Sequence, residues 1–193
     1  LEARLNYDHL EVLFSDGGPG IEEALLEKGM RHQRCVLHGK RHFSYILYID
    51  GLKKAEQIPL REKMAAIPVF QFNKEKLEEL SPEDLSKVKV PAEKTKQGFK
   101  EMIDLLDSQR YPRARSYIEN LSKDIATFFS WWLENRTWIP INTNAIESDF
   151  SQIKNRIWNV GKRWSEKGLL NLLHVTMNKI FFPEMWKELW AQY

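Results

Sequence analysis

The chain has 193 residues, 42% hydrophobic and 29% charged, with a formal net charge of +2. That is enough for one domain with a real core, or a core plus an inserted domain, and too little charge to argue for nucleic acid by itself. No apolar run approaches the roughly 20 residues that span a bilayer, the N-terminus lacks a signal-peptide layout, and the single Cys cannot form an internal disulfide, so a reducing compartment is the natural reading.

The opening residues Leu1-Glu2-Ala3-Arg4-Leu5 read as the tail of a preceding element, and the first residue is not Met. The expectation is a segment of a longer protein. Residues 10–14 are short and apolar and end at Gly17-Gly18-Pro19-Gly20, as a buried strand should. Pro19 or Gly20 then opens a helix with Ile21, Ala24, Leu25 and Leu26 on one side, closed by Gly29. Residues 32–37 read as a second strand, parallel to the first because a helix joins them. A long helix over about 38–54 follows.

Residues 58–137 change character: Lys/Glu-rich helical patterns are separated by Pro59, Pro68, Pro82, Pro91 and Pro112. Ser81-Pro82-Glu83-Asp84 has the form of a helix start, and 112–135 read as one long helix ending in Phe128, Phe129, Trp131 and Trp132. No strand alternation interrupts this block. In the last third, Asn142 or Thr143 can cap a helix with Ile146, Phe150, Ile153 and Ile157 on its apolar face. Ser165 and Pro183 each start another helix. The predicted organisation is therefore 1–57 as a first core part, 58–137 as an all-helical insertion, and 138–193 as the return to the core. Two strands make a poor sheet, and further strands are expected ahead of residue 1.

Asp16 is the first candidate for chemistry. A carboxylate at the C-terminal end of a parallel strand projects into the crevice where such sheets bind ligands. The competing reading is that Ser15-Asp16-Gly17-Gly18 is simply a turn. Glu147, early in its predicted helix, has Ser151 and Lys154 along the same face. It is either a metal-binding carboxylate beside a phosphate-holding cation, or an ordinary first-turn Glu favoured by the helix dipole. Cys35 and His38 form a C-x2-H step: zinc ligands, or a buried thiol with a histidine hydrogen-bonding near the site. Residues 28–42 hold Lys28, Arg31, Arg34, Lys40, Arg41, His32, His38 and His42 and no acid. Lys154, Arg156, Lys162, Arg163 and Lys167 form a second basic cluster, and the two together would make a track for a nucleic-acid backbone. Trp131, Trp132 and Trp138 could stack bases, against the reading that they fill a core.

Taken together, Ser15-Asp16-Gly17 after an apolar strand, Cys35-Val36-Leu37-His38 some twenty residues on, Thr143-Asn144-Ala145-Ile146-Glu147, Lys154 and the helical block ahead of the Glu resemble the DDE transposases of bacterial and archaeal insertion sequences. The Mutator-like group is the nearest in pattern. The similarity runs from about residue 10 to 180 and rests on the order and spacing of the motifs. It implies an α/β fold: a partial RNase H-like core, few-stranded and mostly helical, with an all-α insertion. It also implies that Asp16 is the second metal-binding Asp and Glu147 the closing catalytic Glu. Two Mg²⁺ or Mn²⁺ ions would act on double-stranded DNA, at transposon ends and target. Cys35 and His38 would be the signature pair, and Lys154 a contact to the DNA end. Arg156, Lys162, Arg163, Arg34, Lys40 and Arg41 would line the DNA path. A homo-oligomer on DNA in a bacterial or archaeal cytoplasm, at the nucleoid and with no membrane, completes the implication. The family's first Asp lies tens of residues before the second; Asp8 is only eight residues from Asp16 and cannot come from a neighbouring strand. This chain alone is therefore expected not to cleave DNA. The alternative is a non-catalytic DNA-binding protein derived from a transposase.

Overall fold

A computed structural model describes residues 10–27, 29–72, 80–81, 83–159 and 164–191. It divides into two compact units, the first ending at Thr143 and the second beginning at Asn144.

The first unit opens with β1 (Val12–Ser15), α1 (Pro19–Leu25) and β2 (Arg31–Arg34). The strands pair in parallel, with Val12 opposite Arg31 and Ser15 opposite Arg34. Both are shorter than the sequence predicts. β2 stops at Arg34 because the chain turns at Cys35, whose N–H still reaches the Ser15 carbonyl at 2.7 Å, and α2 (Val36–Ile49) begins at once. α2 ends at Asp50-Gly51, where Gly51 takes φ +94°, a conformation only glycine adopts without cost.

Seven helical residues, four of β1 and four of β2 would not hold together in water. What holds them is the helical block. α3 (Lys54–Ala66), a single 3₁₀ turn (Pro68–Phe70), α4 (Leu85–Ser108), α5 (Pro112–Leu121) and α6 (Thr127–Asn135) enclose one apolar core with α2. Phe43, Leu47, Met64, Met102, Ile118 and Trp132 are all essentially inaccessible there. Pro59 and Pro91, expected as separators, lie inside α3 and α4. A proline in a helix interior costs about 3 kcal/mol. Here buried residues on either side of each, Gln57 and Leu60 around Pro59 and Val88 and Phe99 around Pro91, hold the helix through it.

The predicted helix over 112–135 is two helices. α5 stops at Leu121 and α6 starts at Thr127, because the backbone carbonyls of Asp124 and Ile125 accept from Arg34 N–H and Gln33 Nε2 of β2 instead of from a continuous helix. Thr127 supports the break, its hydroxyl donating to the His32 carbonyl at 2.6 Å and shared with the Asp124 carbonyl. The Ser81–Asp84 start is half as expected. Asp84 Oδ2 accepts from the Ser81 N–H at 2.9 Å, yet α4 begins only at Leu85, and Pro82 lies outside the described residues.

Among the described residues the second unit contains three helices: α7 (Asn144–Asn159), α8 (Glu166–Phe181) and α9 (Pro183–Trp190). Ser165 caps α8, its Oγ accepting from the Gly168 N–H at 3.1 Å, and Pro183 opens α9, both as the sequence predicts. The apolar face expected of α7 is buried only in part: Ile146 and Phe150 are exposed, Ile153 and Ile157 half-buried. Among the described residues the molecule is thus mostly helical with two parallel strands, a mixed α/β chain, and no helix is long and apolar enough to cross a membrane.

Candidate functional site

β1 delivers Ser15 and Asp16 to its C-terminal end, and two glycines then turn the chain into α1. Gly17 sits at φ +90°, and a Cβ there would strike the Arg34 side chain at 2.9 Å, so the turn demands glycine twice over. Asp16 is exposed, and its Oδ1 accepts from the Gly18 N–H at 3.0 Å. The carboxylate is therefore both a turn-former and a ligand candidate, with its second oxygen left for solvent or a cation.

Beneath the turn runs a buried polar relay. The Gly17 N–H donates to Ser15 Oγ at 3.0 Å, Ser15 Oγ lies 2.8 Å from His32 Nε2, and His32 Nδ1 lies 2.7 Å from Asp124 Oδ2. A carboxylate only accepts, so Nδ1 carries the proton towards Asp124, and on a neutral ring Nε2 accepts a hydrogen bond from the Ser15 hydroxyl. The order Ser–His–Asp is that of a hydrolytic triad, but Ser15 is 3% exposed and its Oγ already holds a backbone N–H. A nucleophile must reach its substrate. This one is enclosed, and the relay fixes the turn that presents Asp16.

Arg34 completes the cluster. Its Nη2 donates to Asp124 Oδ2 and to Glu22 Oε1, each at 3.1 Å. Glu22, His32 and Asp124 bring possible metal-ligand atoms within 4.8 Å of one another. A cation there would have to expel the guanidinium that neutralises both carboxylates, so the arrangement is better satisfied as an ion-pair hub. Arg34 Nε and Asp124 Oδ1 are buried without a protein partner.

Asp16, Gly17, Gly18, Arg34, His38 and Arg41 line a cleft of about 470 Å³, with the rings of His42, Tyr45 and Tyr117 on its other wall. Asp16 is its one carboxylate. A second groove of about 610 Å³ between α2 and α3 carries Lys40, Arg41 and Arg61, so Arg41 borders both. Tyr117 donates its hydroxyl to the Gly39 carbonyl at 2.7 Å, and burial pushes its pKa up to about 12 from 10.0. The unfolded chain therefore ionises this phenol first. Its contribution to stability is complete below pH 10 and is lost as pH rises towards 12, up to about 3 kcal/mol for a shift of that size. Urea unfolding at pH 9 and above should show this decline, and Tyr117→Phe should flatten it; an equal decline in the variant would place the cause elsewhere.

The predicted signature pair is in contact. Cys35 is fully buried, and His38 Nδ1 lies 3.3 Å from its Sγ. Thr143 closes over both: its N–H and Oγ1 each lie 3.4 Å from Sγ, and Oγ1 lies 3.2 Å from His38 Nδ1. The C-x2-H step thus anchors the first residue of the Thr143–Glu147 motif. Three neighbours from two residues surround the sulfur, with no second thiol in the chain, which suits a buried hydrogen-bonded thiol rather than zinc.

Glu147, Ser151 and Lys154 share one exposed face of α7, as the spacing predicts, on a shallow groove that also includes Trp158. Lys154 Nζ stands 4.9 Å from the Trp158 ring centroid, a cation–π contact. Arg156 belongs to α7, while Lys162 and Arg163, like Lys28, lie outside the described residues. Trp132 is buried against Trp138, ring centroids 5.3 Å apart, and belongs to the core; Trp131 is half-buried beside the Arg31 guanidinium.

Sequence reasoning passed over Glu22, Asp124 and Gln33. The signal for them was β2 itself: Arg31-His32-Gln33-Arg34 has no apolar residue, and a strand that buries polar side chains, here His32 and Gln33, must find partners for them elsewhere in the chain. No protein-family model, no curated protein and no solved structure matches this chain.

Proposed function

We propose that this chain is the C-terminal part of the catalytic domain of a DDE transposase of the Mutator-like group, with a partial RNase H-like core. In the intact protein, acting as a homo-oligomer on paired DNA ends in a bacterial or archaeal cytoplasm, that domain cuts and joins DNA phosphodiesters. The observation that carries the reading is the placement of Asp16. It stands at the C-terminal end of a strand in a parallel pair, over a cleft whose other charged lining groups are basic. The contact of Cys35 and His38 with Thr143 supports it further, since two motifs of the resemblance far apart in sequence are tied together there.

Asp16 suits Mg²⁺ or Mn²⁺: it is a hard oxygen donor, exposed, with one carboxylate oxygen not committed to the turn. Glu147, exposed on the first turn of α7, is the second carboxylate of the reading. Such ions, when bound, activate a water or 3′-hydroxyl and stabilise the leaving oxygen. The residues of this chain hold the cation and lead the phosphates in, through Arg41 and Lys40 beside the cleft and Lys154 on α7. Arg34 does neither, its charge being spent on Glu22 and Asp124.

The test is binding of double-stranded DNA across a salt series. Affinity should fall linearly in log–log form, and Lys40→Ala with Arg41→Ala should reduce the slope by about one per contact removed. Absence of binding at low salt sinks the reading. Nicking of plasmid in Mg²⁺ or Mn²⁺ should not occur with this chain, in whose sequence nothing fills the role of the first metal-binding Asp. Nicking that Glu147→Gln abolishes would overturn that expectation. The Asp16 turn bond favours one further reading, a transposase-derived DNA-binding protein without catalysis. There, Asp16→Asn and chelator would leave salt-dependent DNA binding unaltered.

A further inference from the structure

Resting on the DNA reading above, the geometry points to a single unstacked nucleotide, rather than intact duplex, as the occupant of the Asp16 cleft. Bases in a duplex show a protein only their edges, because their faces are covered by the neighbouring base pairs. The cleft offers faces. The His42 ring lies 5.5 Å from Tyr45 and 5.5 Å from Tyr117, tilted by 47° and 52°, so three rings form an angled wall. Tyr45 is 57% exposed, leaving most of its surface for a ligand. An exposed aromatic on a concave surface is a stacking platform for any base, whatever its sequence.

The charges fit the other half of a nucleotide. Arg41 is exposed at the rim with no ion pair among the described residues, placed for a phosphate. Asp16 faces the same space and can accept from an exocyclic base amine or hold a cation against the phosphate. The volume, about 470 Å³, is in the range of small-molecule sites and takes a base and its sugar. The neighbouring groove is larger but contrasts in kind. Its one aromatic lining residue, Phe43, is fully buried, and its charged lining is Lys40, Arg41 and Arg61 with the single carboxylate Glu62. That groove suits a backbone, and the cleft a base, with Arg41 at the junction.

The experiment compares equilibrium binding of one oligonucleotide at low salt as a single strand and as a duplex, with a fluorescent 2-aminopurine in the strand to report stacking. The single strand should bind about tenfold tighter, with quenched fluorescence, and Tyr45→Ala should remove that preference and the quenching. Tyr48→Ala is the control: Tyr48 is equally surface-placed on α2, 69% exposed and outside the cleft lining, and its loss should change neither. Equal affinity for the two forms, or equal losses in the two variants, overturns the inference and leaves the DNA reading standing. No binding of either form overturns both.

Discussion

Replacing Asp124 with alanine should lower the free energy of unfolding by about 3 kcal/mol. Breaking a buried ion pair by removing one partner costs about 3–5 kcal/mol, because the partner left behind is a desolvated charge. Asp124 and Arg34 side chains are each 14% exposed, and the same carboxylate also orients His32. Glu22 moderates the loss, since its Oε1 remains 3.1 Å from Arg34 and 3.7 Å from His32. Asp124→Asn keeps an acceptor for His32 Nδ1 but not the charge, and should cost about half as much. Urea unfolding followed by tryptophan fluorescence, with Trp132 in the core, reads both. A change below about 1 kcal/mol in the alanine variant would mean that the cluster is screened like a surface pair. The cost should also reach the site. Once His32 is loosened, Ser15 Oγ no longer has a fixed partner beneath the Gly17 N–H, and the turn carrying Asp16 gains freedom. Whatever DNA affinity depends on Asp16 should weaken with it, in a folded protein.

The local elements were legible in the sequence where local chemistry decides them. The apolar run before Gly17-Gly18 marks β1, Pro19 marks the start of α1, and Ser165 and Pro183 mark α8 and α9. Asp16 at a strand tip and the Cys35–His38 pair were legible for the same reason, since each depends on residues within a few positions of itself. What was not legible depends on distant partners. The break between α5 and α6 has no proline or glycine; residues 122–126 leave the helix because β2 takes Asp124 and Ile125, some 90 residues away in sequence. Pro59 and Pro91 look like stops until the core on both sides of them is known. The exposure of Ile146 and Phe150 runs the other way: the helical period of α7 predicted an apolar face correctly as a pattern, but not its burial. Periodicity records what a helix has to offer, and only a partner surface turns that into packing.

Gln33 shows how much a single polar side chain in β2 has to do. It is fully buried, its Nε2 donates to the carbonyls of Arg34 and Ile125 at 2.7 and 2.9 Å, and its Oε1 accepts from the Phe128 N–H at 2.8 Å. The Phe128 N–H is one of the first in α6 and has no partner within the helix, so Gln33 caps that helix from a strand. Gln33→Ala would strand the Phe128 donor and the Ile125 acceptor in the core and leave a cavity beside them. Each orphaned group costs about 1–3 kcal/mol, so the loss should be about 4 kcal/mol. Gln33→Glu separates the two halves of the argument. Its carboxylate still accepts from Phe128 N–H, but it can no longer donate to Ile125, and it sets a negative charge against that carbonyl in a fully buried site. At neutral pH it should destabilise at least as much as alanine, despite filling the same volume. If Gln33→Glu were instead nearly neutral while alanine was costly, the bonds Gln33 donates to Arg34 and Ile125 would carry nothing, and its role would be volume and the bond it accepts from Phe128 N–H.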